Sequence, residues 1–258
     1  MLKFDEQTAR LLEDAYQGAD FTRRRRISFD AVAPRPGERI LDLGCGNGLL
    51  TLELARAVGA AGHILGLDAS ADMLSAAKKR CQERENVTLL QGSADALPFK
   101  TGSIDKAVSL QVFEYFDDAR SALTELHRVL RLGGRVVISD MHFDTLAWHS
   151  DHPERMARMV GIWDRHVAER RVPQIMPGAL VTAGFRMETV IPYTTCDIDM
   201  RPDGLAQMMI RLMTAYAIST GAMPEDETTA WAQEQADLAK VGRFWFSLSH
   251  FVTVARRQ

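Results

Sequence analysis

The stretch ILDLGCGNG, residues 40–48, decides how this chain folds. Its first four residues are apolar apart from Asp42, as in a buried strand, and glycines follow at positions 44, 46 and 48. Glycine lets the backbone turn sharply and leaves no Cβ between the chain and a bound ligand. We therefore expect a strand, a tight turn beside a ligand and a helix, in this order.

Outward from this turn, apolar β-rich runs alternate with stretches of helical periodicity. Strands are predicted at 38–43, 63–68, 87–92, 104–110 and 134–140. Such alternation is typical of βαβ units, which build a parallel sheet. The alternation ends beyond residue 140. There the pattern predicts a helix at 153–170, and strands at 186–195 and 244–257 that enclose a mostly helical insertion.

Two carboxylates follow the next two predicted strands. Asp68 ends the second strand, about twenty residues after the glycines, where a carboxylate can accept hydrogen bonds from both ribose hydroxyls. Asp95 follows the third strand, where it could hold an exocyclic amine. Because open α/β sheets bind ligands at the carboxyl ends of their strands, the series indicates a nucleotide-like ligand. Leu49 occupies the position of the third glycine of dinucleotide-binding proteins, which argues against a nicotinamide-dependent oxidoreductase.

Composition and net charge limit the classes of binding partner that we expect. The chain has 258 residues, a net charge of -3 and a pI near 6.2, and its one basic run is TRRRR at 22–26. We therefore expect neither nucleic acid nor a membrane as a partner. The first residues form no long apolar stretch, so a cytoplasmic location is expected. Cys45, Cys81 and Cys196 are widely spaced, which argues against a disulfide framework and a structural zinc site.

Five segments together resemble the ordered motifs of the class I S-adenosylmethionine-dependent methyltransferases: ILDLGCGNG, ILGLDAS, GSADALPF, VSLQVFEYFDD and ELHRVLRLGGRVVISD. The resemblance covers roughly residues 37–141. It is nearest to the small-molecule branch that includes the ubiquinone and menaquinone biosynthesis methyltransferases. It implies a Rossmann-like, seven-stranded, mostly parallel α/β sheet with an antiparallel last strand, and S-adenosylmethionine as the cofactor.

The resemblance also implies which residues hold each part of the donor. The glycine turn would line the methionine part, and Asp68 would bind the ribose hydroxyls. Met73 would pack on the adenine, Ala94 and Asp95 would hold its edge, and Gln111 would lie near the sulfonium.

Similar proteins close an N-terminal helix over the donor, which points to Tyr16 and to one or two of the arginines at 23–26. The full set expected to bind the cofactor is Asp42, Gly44, Cys45, Gly46, Asp68, Ala69, Met73, Ala94, Asp95, Ala96, Gln111, Tyr16 and Arg26.

We expect one methyltransferase domain, 1–258, built from five segments. These are an N-terminal helical cap (1–36), a cofactor-binding core (37–145), a helix with the sixth strand (146–200), a helical lid insertion (201–243) and the last strand (244–258). The lid helix carries methionines on one broad face, which either cover a hydrophobic acceptor or pack in the core.

The segment DMHFDTLAWHSDH, residues 140–152, begins where the fifth strand ends, at the edge where a methyl acceptor would sit. His142 and Asp140 are therefore the first candidates for a catalytic base or an orienting group. Glu114 and Tyr115, after the fourth strand, are candidates for contact with the acceptor.

The far end of the same segment has two further interpretations. Asp151 or His152 before Pro153 resembles a helix start, with Glu154 placed for a capping-box contact. His142, His149 and His152 raise the question of a metal site, but no carboxylate completes the set at convincing spacing, and no metal is assigned.

Methyl transfer from a sulfonium is an in-line displacement, which needs alignment and exclusion of water. Aromatic residues on the acceptor side favour a small aromatic or apolar metabolite as the acceptor. The alternatives are an RNA methyltransferase, which would need a basic recognition surface, and a non-catalytic regulator that binds S-adenosylmethionine. The residues that motivate the small-molecule acceptor are Tyr115, Phe143, Trp148 and Trp163.

Overall fold

Seven strands form one sheet in the computed structural model, which describes residue 13 and residues 16–258. Along the sheet, the first five strands run parallel, and the last strand runs antiparallel between the fifth and the sixth, in the order 3-2-1-4-5-7-6. The predicted α/β class and the antiparallel last strand are thereby confirmed. The strands are β1 (Arg39–Leu43), β2 (His63–Asp68), β3 (Val87–Gln91), β4 (Ile104–Leu110), β5 (Leu130–Trp148), β6 (Phe185–Asp197) and β7 (Phe246–Arg257).

Eight α-helices lie within the described residues, and two short 3-10 helices, Phe113–Tyr115 and Asp164–His166, lie among them. The α-helices are α1 (Ala19–Val32), α2 (Leu49–Val58), α3 (Ala71–Cys81), α4 (Arg120–Val129), α5 (Pro153–Trp163), α6 (Val172–Thr182), α7 (Leu205–Thr220) and α8 (Glu225–Lys240). Residues 1–12, 14 and 15 of the expected N-terminal cap lie outside the described residues.

Both faces of the sheet are covered, which explains why its central strands are nearly continuous apolar runs. In β1, Ile40 packs with α1 and α2 on one face, and Leu41 and Leu43 pack with α4 and α6 on the other. A third apolar cluster joins α5, α7 and α8 to the far ends of β5 and β7. In this cluster the indole of Trp231 is fully buried and lies 5.6 Å from that of Trp148 between ring centroids.

The fifth strand is longer than predicted. It continues past Asp140 to Trp148 because β7 provides a partner there, with Met141 opposite His250 and His142 opposite Ser249. The helix predicted at 153–170 ends at Trp163 and is followed by a 3-10 turn. Helix α6, which contains Pro177, has no counterpart among the predicted elements.

Helix α5 begins where the sequence indicated, with His152 as its N-cap and Pro153 in its first turn. The capping contact comes from a residue distant in sequence. The carboxylate of Glu234 in α8 accepts hydrogen bonds from the amides of Asp151 (2.7 Å) and His152 (3.3 Å) and from the hydroxyl of Ser150 (2.6 Å). Helix α8 and the segment after β5 are therefore joined by a carboxylate that is nearly buried, with 8% of its side chain exposed.

Helix α1 is joined to the start of helix α7 by Asp20. Its carboxylate accepts from the backbone amide of Leu205 at the start of α7 (2.9 Å) and from the guanidinium of Arg201 (2.9 Å). Among the described residues, no helix is both long enough and apolar enough to cross a membrane.

Candidate active site

A cavity of about 310 Å³ opens at the carboxyl ends of the central strands, beside the glycine turn after β1. Helix α1 closes one side of it, and the turns after β2, β3 and β4 close the others. Its described lining is Tyr16, Phe21, Arg24, Arg25, Asp42, Leu43, Gly44, Cys45, Gly46, Asn47, Leu49, Leu50, Leu67, Asp68, Ala69, Ser70, Met73, Gly92, Ser93, Ala94, Leu110, Gln111, Val112, Tyr115 and Phe116.

The glycine turn needs glycine for two different reasons. At Gly44, with φ +69°, a Cβ would lie 2.2 Å from a side-chain methyl of Val112, so close packing forbids any larger residue. At Gly46, with φ +52°, a Cβ would meet no heavy atom within 4 Å. Gly46 lines the cavity, so its missing Cβ leaves room in which a ligand can approach the backbone.

Asp68 stands at the predicted end of β2 and lines the cavity. Its carboxylate accepts hydrogen bonds from the amide of Gly46 (2.8 Å) and from that of Ser70 (2.9 Å). Burial raises the pKa of Asp68, and these backbone donors partly oppose the rise. The two amides fix the carboxylate beside the turn and leave it further lone pairs for ribose hydroxyls.

Asp42 and Cys45 line the cavity on the side of the core. The hydroxyl of Thr51 donates to the carboxylate of Asp42 at 2.6 Å, and burial raises the pKa of Asp42 to about 7. Burial also raises the pKa of the Cys45 thiol, so this sulfur is an apolar wall rather than a nucleophile.

The part of the cavity expected to hold adenine is formed by Met73, Ala69 and Ala94, all of which line it. Met73 and Ala94 are buried and Ala69 is exposed. Asp95 and Ala96 differ from this set, because both are exposed and neither belongs to the described lining. Their role in binding the donor stays a prediction.

The structure corrects the prediction that Arg26 binds the cofactor. Helical spacing places Arg26 on the solvent side, where its guanidinium pairs with Asp30 at 3.0 Å and 68% of its side chain is exposed. Arg24 is buried instead, lines the cavity, and holds its guanidinium 4.7 Å above the ring of Phe21. Arg25 also lines the cavity but is paired with Glu53 at 2.7 Å.

Tyr16 lines the cavity beside Arg24, and burial raises the pKa of its hydroxyl to about 12. The cavity thus joins a glycine turn open to a ligand, a ribose-side carboxylate, an apolar adenine side and a buried guanidinium. This donor set fits S-adenosylmethionine, whose parts are an adenosine, a sulfonium and an amino-acid carboxylate.

The turn after β4 carries Gln111, Glu114 and Tyr115. Gln111 has a left-handed backbone, with φ +59°, and its side-chain amide donates to the carboxylate of Glu114 at 3.2 Å. Tyr115 is also hydrogen-bonded to Glu114, and burial raises the pKa of that carboxyl to about 7. Gln111 and Tyr115 line the cavity, whereas Glu114 is fully buried behind them.

A second, smaller cavity of about 30 Å³ continues from this turn toward the lid. It shares Tyr16, Gln111 and Tyr115 with the first cavity, and α7 supplies four of its apolar residues. The methionine face of α7 therefore packs in the core and also lines a cavity. The remaining lining is Met141, Phe143, Trp163, His166, Leu205, Met208, Met209 and Leu212.

The placement of Asp140 and His142 corrects the sequence interpretation. Side chains alternate along a strand, and Met141 and Phe143 are the ones that face the second cavity. His142 lies across the strand from them, 6.1 Å from the ring of Phe251. Asp140 is buried near Glu114, and burial raises its pKa well above the ordinary value. Within the described part of the chain, neither residue lines either cavity.

The structure does not bring His142, His149 and His152 together into one site. His149 lies 3.7 Å from a carboxylate oxygen of Asp151, which is itself paired with Arg243 at 2.5 Å. Over the described residues, no group of three or more histidine, cysteine, aspartate or glutamate side chains could hold a metal ion.

Sequence reasoning missed Arg24, although the run at 22–26 contained it, because nothing in four consecutive arginines tells which one the helix turns inward. It also missed His166, which the structure places in the second cavity. The signal was its position three residues after Trp163, which continues the apolar stripe of α5.

Residues 41–138 match the family model described as a methyltransferase domain. Over 239 residues the chain is 32% identical to an uncharacterized 37.1 kDa protein in transposon TN4556 of Streptomyces fradiae, covering 90% of this chain and 66% of that protein. Over 112 residues it is 42% identical to the demethylmenaquinone methyltransferase of Lactococcus lactis, covering 43% of this chain and 44% of that enzyme. The chain thus spans between about half and two thirds of the length of these relatives.

Solved structures share the fold. The YcgJ protein of Bacillus subtilis matches with a TM-score of 0.65 and 19% identity, over 92% of this chain and 99% of that protein. A geranyl diphosphate methyltransferase in complex with GPP and sinefungin matches with a TM-score of 0.57 and 17% identity, over 92% of this chain and 77% of that protein. With its ordered motifs and these matches, the segment at residues 41–138 is thus a methyltransferase domain, and the chain as a whole has the fold of methyltransferases of known structure.

Proposed function

We propose that this protein transfers a methyl group from S-adenosylmethionine to a small, apolar metabolite. One observation carries the proposal. A larger cavity lined by the glycine turn, Asp68 and Arg24 meets a smaller apolar cavity at Tyr16, Gln111 and Tyr115. A donor in the first cavity and an acceptor in the second would face each other across these three residues.

The donor-side residues bind and orient. The carboxylate of Asp68 accepts hydrogen bonds from the ribose hydroxyls, and the side chain of Met73 packs on the adenine. The guanidinium of Arg24 forms an ion pair with the amino-acid carboxylate of the donor. When bound, S-adenosylmethionine supplies a methyl group made electrophilic by its sulfonium. Helix α1 and Tyr16 cover the cavity, so that water is excluded and the reacting atoms stay aligned.

The acceptor side favours an apolar molecule. Aliphatic and aromatic side chains make up most of the lining of the second cavity, and its methionines can adapt to an irregular surface. The proteins that match this chain include a demethylmenaquinone methyltransferase and a geranyl diphosphate methyltransferase, whose named substrates carry apolar groups. An apolar metabolite fits both observations.

Labelling tests the proposal. The protein is incubated with methyl-labelled S-adenosylmethionine and a cell extract separated into lipid, polar and RNA fractions, and products are identified by mass spectrometry. We expect label in the lipid fraction, and the D68A protein, in which donor binding is weakened, serves as the matched control and should give less labelled product. Label in RNA would support an RNA methyltransferase instead, and donor binding without any labelled product would support a regulator.

A further inference from the structure

His166 is a polar side chain in an apolar place. It is 2% exposed and lines the second cavity among the aliphatic residues of α7. Its ring stacks on the indole of Trp163, with 3.7 Å between centroids, and the rings of Phe143 and Tyr115 meet it edge-on at 5.5 Å and 6.5 Å. A buried imidazole in such surroundings needs a partner for each ring nitrogen.

One of these partners is known and fixes the tautomer. Nδ1 of His166 is hydrogen-bonded to the backbone carbonyl of Trp163. A carbonyl can only accept, so Nδ1 carries the hydrogen and Nε2 carries a lone pair. Among the residues that the structure describes, no hydrogen bond reaches Nε2. The second cavity therefore contains one neutral hydrogen-bond acceptor on a rigid ring.

The ring is also held in a fixed position relative to the donor site. The amides of Ala168 and Glu169, two and three residues after His166, donate to the carbonyl of Glu114 at 2.8 Å and 3.1 Å. The amide of Phe143 donates to the carbonyl of Arg170 at 3.0 Å. The segment that carries His166 is thus tied to the turn that carries Gln111 and Tyr115, where the two cavities meet.

We propose that Nε2 of His166 accepts the hydrogen bond of a hydroxyl on the methyl acceptor and takes its proton during transfer. The acceptor class is then an apolar molecule with a phenol or enol hydroxyl. This rests on the proposed function and adds to it a catalytic residue and the group that the acceptor carries.

The step balances without a further reactant. An oxygen lone pair forms the new bond to the methyl carbon, the carbon–sulfur bond breaks, and its electron pair neutralises the sulfonium. The hydroxyl proton moves to Nε2, so that one positive charge leaves sulfur and one appears on imidazole. Burial lowers the pKa of His166 to about 4, which keeps the ring neutral before transfer. An oxygen that is forming a third bond is acidic enough to give its proton to such a weak base.

Calorimetry with two probes tests the hydroxyl contact without any turnover. Protein saturated with S-adenosylhomocysteine is titrated with 1-naphthol and with 1-fluoronaphthalene, which has nearly the same shape and no hydroxyl. We expect the unsubstituted protein to bind 1-naphthol about tenfold more tightly, because only the hydroxyl pairs with Nε2.

Three variants of His166 separate the ring nitrogen from the packing. H166N keeps an N–H near the place of Nδ1 and removes Nε2, and H166F keeps the ring on Trp163 without either nitrogen; both should lose the preference. H166Q places an acceptor near Nε2 and should keep part of it. H149N, at an exposed histidine, is the matched control and should keep all of it. Thermal unfolding shows which variants are folded.

Several outcomes would overturn the proposal: a tenfold preference that survives in H166N or H166F, no preference in the unsubstituted protein, or no binding of either probe. Failure of the proposed function is a separate result, since it would appear as the absence of labelled product and leaves the naphthol measurement intact. With an acceptor found by labelling, H166N should lower kcat about a hundredfold at unchanged donor affinity, and an unchanged kcat would exclude proton transfer.

Discussion

In the proposed donor site, the carboxylate of Asp68 binds the ribose hydroxyls. Replacing it with alanine removes a charged acceptor from a partly buried cavity, so we expect D68A to bind S-adenosylhomocysteine at least about tenfold more weakly. Isothermal titration calorimetry measures this. E83A, at an exposed glutamate beyond the end of α3, is the control and should bind as the unsubstituted protein does. Unchanged affinity of D68A would remove the ribose assignment.

Two arginines two residues apart in α1 offer a matched comparison. Arg24 is buried against the cavity and Arg26 faces solvent. We expect R24Q to weaken the binding of S-adenosylhomocysteine about tenfold, since a charge-assisted contact to its carboxylate is lost, and R26Q to change it less than twofold.

A second ligand locates the contact of Arg24 within the donor. 5′-Methylthioadenosine lacks the amino-acid part, and R24Q should bind it as tightly as the unsubstituted protein does. Equal losses for both ligands would show that Arg24 supports the fold of the cavity instead of meeting the carboxylate.

At the scale of elements, the start of α5 depends on a carboxylate from α8. Glu234 accepts from two backbone amides there and pairs with Arg155 at 2.8 Å. We expect E234A to lower the free energy of unfolding by about 2 kcal/mol, because these amides lose a charged acceptor in a nearly buried place. Urea unfolding followed by circular dichroism measures the loss.

The neighbouring Gln233 provides the control. Its side chain is exposed and donates a hydrogen bond within α8, to the carboxylate of Asp237 at 2.9 Å. Q233A should therefore change the free energy of unfolding by less than about 0.5 kcal/mol. Similar losses for the two variants would mean that the stability of α8 itself, and not the junction with α5, is being measured.

The pairing of strand β5 determines which of its side chains face the second cavity. The run at 140–152 placed histidine and aspartate at the right edge of the sheet, and the sequence interpretation stopped there. Pairing with β7 continued the strand, and strand alternation then directed Met141 and Phe143 to the cavity and His142 away from it. Which face of a strand meets a cavity depends on that partner, so the run by itself could not assign the side chains.

At the scale of the whole molecule, buried ionisable groups make stability depend on pH. Burial raises the pKa of Asp42 to about 7, whereas an unfolded chain has a value of about 3.9. Between these values the folded state binds more protons than the unfolded state. The contribution of Asp42 is therefore present below about pH 4 and is lost as pH rises through about 7.

The variant D42N isolates this contribution, because the other titrating groups occur in both proteins and cancel. From about pH 5 to about pH 8, the free energy of unfolding of the unsubstituted protein should fall by about 2–3 kcal/mol relative to that of D42N. Urea unfolding at both pH values measures the difference. D117N, at an exposed aspartate, should show no such change, and parallel pH curves for D42N would contradict the prediction.

Local sequence patterns were sufficient to predict the sheet and the glycine turn, and to predict which side chains lie at the edge where the first cavity opens. Strand, glycine turn and helix follow from local rules of periodicity and backbone freedom, and parallel strands bring Asp42, Gly46 and Asp68 to one edge because their carboxyl ends meet there. Nearly all of these relations hold within one βαβ unit, so spacing along the chain was enough to predict them.

The buried arginine of the first cavity and the lining of the second cavity depend on tertiary packing. Arg24 was separated from Arg26 by the packing of α1 on the sheet, and His166 was brought to Tyr115 by hydrogen bonds between segments about fifty residues apart. Helices α5 and α7 meet over the second cavity although helix α6 and strand β6 separate them in sequence. Such contacts depend on how distant surfaces fit together, and no local pattern of residues records that fit.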